Sequence, residues 1–107
     1  MTHGELVNMV LVRFSKPQLR VWKNVTGVFD APNGAKIRVG LKGSADILGI
    51  RSDGKMVCIE IKVGHDQQRQ DQKSFENMIN LMHGIYVIVH DTDKLDTKFQ
   101  EVTNGNI

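Results

Sequence analysis

Two runs of β-forming residues, Ala45 to Ile50 and Met56 to Val63, flank the turn signal Ser52-Asp53-Gly54-Lys55. This hairpin constrains the fold more than any other segment of the chain. Its loop length decides which side chains share a face. A two-residue turn on Asp53-Gly54 pairs Ile47 with Glu60 and sends Asp46 to the opposite face, whereas a three-residue loop, Ser52-Asp53-Gly54, sets Asp46 directly across from Glu60. Gly54 suits the left-handed position of the longer loop. The three-residue form, or else a bulge between Asp46 and Ile50, is therefore expected.

The second strand carries Glu60-Ile61-Lys62 inside an otherwise apolar run. Residues two apart point to the same face of a sheet. An ionised group costs several kcal/mol to bury unless it is paired or bound to a metal, so a carboxylate, a lysine and a facing aspartate form a candidate site. Two adjacent carboxylates repel each other, and a hard divalent cation relieves that repulsion with oxygen ligands. Lys62 on the same face would then lie near an attacking water and a scissile phosphate, an arrangement suited to phosphodiester hydrolysis. The competing reading is a buried Glu60–Lys62 ion pair with Asp46 capping the strand end.

Around this hairpin the pattern alternates helix and strand. Leu6, Met9, Val10 and Phe14 recur at helical spacing from Gly4 to Phe14, until Lys16-Pro17 ends the pattern. Leu19 to Trp22 reads as a strand, and Val25 to Gly43, with its Pro32-Asn33-Gly34 turn, as a loose hairpin or a long loop. Asp66 to Met82 carries Phe75, Met78, Ile79 and Met82 on one helical stripe, closed by His83-Gly84. Gln72 heads that stripe, so its amide is expected to reach Glu60 and Lys62; a partly exposed first-turn glutamine is the alternative. Ile85 to Val89 reads as a buried strand, Asp91 to Gln100 as a short helix and Val102 to Ile107 as a frayed tail. The order predicts one α/β or α+β domain over residues 1–107, built on one mixed sheet.

Composition narrows the class without naming a partner. Fourteen Lys and Arg against twelve Asp and Glu give a net charge of +2, so an argument for nucleic acid must rest on where the charges sit. The single cysteine, Cys58, excludes an internal disulfide and a Cys-based zinc site, and reads as buried and inert. No signal peptide or membrane-length apolar run is evident, so a cytoplasmic protein is expected.

Gly43-Ser44-Ala45-Asp46, then Glu60-Ile61-Lys62, then Gln72 with its amphipathic helix and Gly84-Ile85-Tyr86-Val87-Ile88-Val89, resemble the PD-(D/E)XK nuclease superfamily. More narrowly the chain is similar to the VRR-NUC family, the virus-type replication and repair nuclease domain, in its standalone phage form. The resemblance spans Glu5 to Val89 and departs from the family pattern at Ala45, where proline would stand. It implies a restriction-endonuclease-like αβββαβ core with a mixed central sheet flanked by helices. It further implies DNA cleavage dependent on Mg2+ or Mn2+, with Asp46, Glu60 and the backbone carbonyl of Ile61 as ligands and Lys62 as catalytic lysine. Gln72 falls at the family's glutamine and Glu5 at its first-helix acidic residue, which either extends toward the metal or is simply solvated. Standalone members resemble Holliday junction resolvases that act as homodimers, in host cytoplasm if phage-encoded. The fused eukaryotic member acts on flaps.

Two symmetric nicks need two sites, which a twofold dimer supplies. Candidate dimer surfaces are Val7, Leu11 and Val12 on the first helix and the strand around Trp22; alternatively these residues complete the monomer's core. DNA contact is expected from Lys36, Arg38 and Lys42, set among Gly34, Gly40 and Gly43, with Ser44 beside them. Arg69 and Lys73 form a second basic pair, or a solvated helix face, and His65 either touches phosphate or is exposed and unemployed. No base-reading motif is evident. A catalytically silent nucleic-acid-binding module and a nuclease for flaps, ends or single strands remain the alternatives.

Overall fold

The computed structural model describes residues 1–104. In chain order its elements are α1 (His3–Phe14), β1 (Leu19–Lys23), β2 (Gly27–Asp30), β3 (Lys36–Val39), β4 (Ile47–Arg51), β5 (Met56–Lys62), α2 (Gln70–Leu81), β6 (Ile85–His90) and α3 (Leu95–Asn104). Strands β1, β4, β5 and β6 lie side by side in that order, and β2 and β3 form a separate two-stranded sheet. The β1–β4 and β4–β5 pairs are antiparallel and the β5–β6 pair is parallel. With the β2–β3 hairpin set aside, the order is αβββαβ followed by a third helix, a mixed α/β architecture.

Strand β5 is covered on both faces, which explains its apolar run. Val57, Ile59 and Ile61 pack with Leu6, Val10 and Phe14 of α1 and with Val102 of α3. On the opposite face Cys58 packs with Ala45 and with Phe75 and Ile79 of α2. Burial pushes the Cys58 thiol up to about 12, so it stays protonated and acts as a small apolar side chain.

Helix α1 starts at a capping box in which Thr2 Oγ1 accepts the Glu5 amide and the Glu5 carboxylate accepts the Thr2 amide. Its buried stripe is Leu6, Val7, Val10 and Phe14. The expected stripe is thus corrected at one position, because Met9 is exposed and Val7 belongs to the core. Val7 therefore completes the monomer's core, Leu11 is partly buried against it, and Val12 and Trp22 are exposed, at 77% and 48%.

Of the two readings of the stretch from Val25 to Gly43, the hairpin is the one found. Two further expectations change. Helix α3 reaches Asn104, and Val102 is fully buried, so the tail is ordered there; the rest of that expectation, 105–107, lies outside the described residues. At the end of α2 the left-handed residue is His83, with φ 66°, and not Gly84. Gly84 serves a different need, since a Cβ there would meet the Ile79 side chain at 2.7 Å. Its amide bonds the Ile79 carbonyl at 2.9 Å, and Met82 is left exposed at the helix end.

Candidate active site

The hairpin between β4 and β5 has the three-residue loop. Ile47 lies opposite Ile59 and Ile50 opposite Met56, and the Arg51 amide bonds the Lys55 carbonyl at 2.9 Å. Ser52, Asp53 and Gly54 form the loop, with Gly54 at φ 89°. Continued by one residue, that register sets Asp46 across from Glu60, on the face that also carries Cys58 and Lys62. The carboxylates do converge: each perturbs the ionisation of the other.

Glu60 is buried, at 1% exposure. Burial, reinforced by the adjoining Asp46 carboxylate, pushes its carboxyl up to about 9, so without a cation it holds a proton at neutral pH. Tyr86 donates to Glu60 Oε2 at 3.3 Å, and Gln68 Nε2 bonds both the Tyr86 hydroxyl and Glu76 Oε1. Asp46 is its counterpart with the opposite shift. Burial alone would raise it, but hydrogen bonds with Glu60 and the Ile61 amide, together with His3, outweigh that and hold it below the usual carboxylate range. One carboxyl is thus neutral and the other ionised, as two acids sharing one site require.

Lys62 is also buried, at 3% exposure, and its ammonium has protein acceptors. It donates to Gln72 Oε1 at 2.9 Å and to the Gln67 carbonyl at 3.2 Å, with the half-exposed Asp66 carboxylate 3.8 Å away. The same Gln72 oxygen accepts the Arg69 amide at 2.8 Å, so one side chain caps the start of α2 and holds the lysine. Helix and strand meet here because α2 returns along β5 to reach parallel β6, which brings its first turn to the strand's far end.

The backbone at Ile61 completes the cluster. Its amide donates to Asp46 Oδ2 at 2.8 Å. The amide and carbonyl of one strand residue point to the same side, and the Lys62 carbonyl already faces β6, where it accepts the Asp91 amide at 3.2 Å. The Ile61 carbonyl accordingly faces β4 and the Asp46 carboxylate. Two carboxylates and this carbonyl form an all-oxygen donor set of the kind a hard divalent cation takes. Among the described residues no group of three or more His, Cys, Asp and Glu side chains converges as a metal cluster, so the set depends on the backbone oxygen.

Two residues of the site were not singled out from sequence. His3 Nε2 lies 3.4 Å from Asp46 Oδ2, so it is His3 that reaches the aspartate, while the Glu5 carboxylate is engaged in its capping box. Asn24, just beyond β1, holds the segment before β4: its amide donates to the Asp46 carbonyl at 2.8 Å, and its Nδ2 to Ser44 Oγ and to the Ala45 carbonyl, both at 2.8 Å. Asn24 is a positioning residue for Asp46. Ser44, expected at DNA, accepts the Asn24 side-chain amide through its hydroxyl. No local spacing betrays either contact, since each joins residues twenty or more positions apart.

The remaining expected residues lie outside the cluster. Lys36, Arg38 and Lys42 are exposed on or beside the β2–β3 hairpin, and His65 and Lys73 are exposed as well. Lys36 pairs with Asp30, and Arg69 lies 3.4 Å from Asp71. A further buried charge, Arg51, donates to the Val102 and Thr103 carbonyls at the end of α3. It also pairs with Asp53, holding that carboxyl at about 2. This pair lies at the other end of the hairpin and serves the fold.

No family model, curated protein or solved structure matches the chain. Among the described residues no helix is long and apolar enough to cross a membrane.

Proposed function

We propose that the chain is a divalent-cation-dependent nuclease that hydrolyses DNA phosphodiester bonds, in the manner of the VRR-NUC family it resembles. The observation that carries this reading is the meeting of Asp46, Glu60 and the Ile61 carbonyl with a lysine whose ammonium is fixed by Gln72. Asp46, Glu60 and the Ile61 carbonyl would hold Mg2+ or Mn2+. When bound, the cation supplies charge neutralisation for the phosphate and a more acidic water.

The chain's own groups set the stage for that chemistry. Asn24 and the Ile61 amide fix Asp46 before any ligand arrives. Glu60 would serve as a ligand in its ionised form, and Tyr86 donates to its Oε2. Lys62 donates from a buried position, where Gln72 orients its ammonium toward charge that develops on the phosphate oxygens. His3, at the exposed rim beside Asp46, would donate to a phosphate oxygen. The twofold dimer and a preference for four-way junctions belong to the same proposal and rest on the resemblance.

Purified protein incubated with labelled four-way junction, flap, duplex and single strand, with Mg2+, Mn2+ or EDTA, tests this reading. Cleavage is expected only with a cation, and Asp46→Asn, Glu60→Gln and Lys62→Ala should each lower its rate by about a hundred- to a thousandfold, by analogy with the loss of a transition-state charge contact, while leaving DNA affinity within a few-fold. Unimpaired cleavage by all three variants would end the proposal. Calorimetry with each cation provides an independent reading: the silent binding module predicts no heat that depends on Asp46 and Glu60.

A further inference from the structure

The β2–β3 hairpin is an arm with no part in either core. All four residues of β3 are exposed, as are Val28, Phe29 and Asp30 of β2. Gly27 pairs with Val39, Phe29 with Ile37, and Asp30 with Lys36, so alternation places Phe29, Ile37 and Val39 on one face and Lys36 and Arg38 on the other. The apolar face remains open, with Phe29 48%, Ile37 50% and Val39 41% exposed. An isolated two-stranded hairpin is marginal in water, and an exposed aromatic on one is suited to a partner.

Charge identifies the partner's chemistry. Of the fourteen basic and twelve acidic residues, Lys36, Arg38, Lys42 and Asp30 fall between Val25 and Gly43, so this segment carries the chain's whole net charge of +2 and the remainder is neutral. The arm is also joined to the candidate site. Its outgoing stem runs through Gly43 and Ser44 to Asp46, and Asn24, on the incoming stem, bonds Ser44, Ala45 and Asp46 at 2.8 Å each. The base of the arm is thus tied to the segment that carries Asp46.

We propose that the β2–β3 arm is a nucleic-acid wedge: Phe29 stacks on an unpaired base at a branch point, while Lys36 and Arg38 hold the flanking phosphates. The inference rests on the nuclease reading and deepens it, naming branched DNA with unstacked bases as the ligand of the arm. Basic side chains supply attraction independent of sequence, and an aromatic ring reads only bases freed from their stack.

Fluorescence anisotropy in EDTA, where no cleavage occurs, compares a forked DNA with a fully paired duplex. Phe29→Ala is expected to weaken fork binding about tenfold and leave duplex binding unchanged, and Phe29→Leu, which keeps apolar packing in the hairpin, should do the same. Lys36→Ala with Arg38→Ala should weaken both DNAs and lower the slope of log K against log salt by about two. A 2-aminopurine at the branch should change its emission with the wild-type protein and not with Phe29→Ala. Equal loss on fork and duplex, or no loss, would overturn the wedge. So would sedimentation in which Phe29→Ala turns a dimer into monomers, since the apolar face would then serve a second copy of the chain. Because binding is read without metal, the wedge and the cleavage activity can fail separately.

Discussion

Glu60 is the residue at which the folded state and ionisation most strongly oppose each other. Its carboxyl moves from an ordinary 4.5 to about 9 on folding, chiefly through burial and then through Asp46. A group raised in this way contributes its stability fully below pH 4.5 and loses it as pH rises through 9, because the folded state binds the proton that the unfolded state releases. Asp46, shifted downward, finishes titrating below that window. The protein in EDTA should therefore lose several kcal/mol between pH 5 and 9, at about 1.4 kcal/mol per pH unit. Glu60→Gln, uncharged and of similar shape, should flatten the profile and exceed wild type at pH 9. Urea midpoints measured in EDTA check this, and parallel profiles for the two proteins would refute it. The pairing behind the shift was legible in the sequence, because counting from Gly54 fixed the register that faces Asp46 with Glu60. Gln72 was legible too, as the polar head of an apolar stripe. His3 and Asn24 were not, since their contacts arise from how α1 and β1 dock on the sheet, which no local period encodes.

Among the elements, the segment entering β4 and the loop leaving it depend on glycine for different reasons. Gly43, at φ 82°, presses against α2: a Cβ would lie 2.4 Å from the Asp71 carbonyl oxygen. Gly54, at φ 89°, has open space around it. Gly54→Ala should then cost about 1 kcal/mol of backbone strain alone. Gly43→Ala adds the displacement of α2's first turn and should cost about 3 kcal/mol or more. It should also disturb Gln72, one residue from the clash, and with it the hold on Lys62. Thermal unfolding of the two variants tests the ranking, and equal losses would show that α2 yields freely. The sequence reveals the turn chemistry of Gly54, because a hairpin loop calls for glycine locally. It conceals Gly43, whose requirement comes from a helix almost thirty residues further on. The end of α2 teaches the same lesson, since Gly84 is required for close packing on Ile79 while His83 takes the left-handed turn.

At the scale of the molecule, the chain divides into a core that closes on itself and an arm that does not. The overall dimensions, 47 × 32 × 27 Å with a radius of gyration of 14.5 Å, exceed the ~13 Å expected for a compact chain of this length. A projecting hairpin accounts for that difference. Both faces of β5 are covered without any residue of β2 or β3, so the arm's removal should leave the core intact. The stems allow it: a Cβ on Gly40 would lie 3.0 Å from the Val25 carbonyl oxygen, close enough for a two-residue Asn-Gly turn to join Thr26 to Gly40. Asn24, Ser44 and Asp46 are retained in such a variant. Its melting temperature should fall by no more than about 4 °C, the shift of a ~1 kcal/mol change, and its cation affinity by calorimetry should match the full chain. Loss of cooperative unfolding would show that the arm stabilises the core. Loss of cation binding with the fold retained would show instead that the arm holds Asp46 in place, and that the Asn24 contacts do not suffice for it.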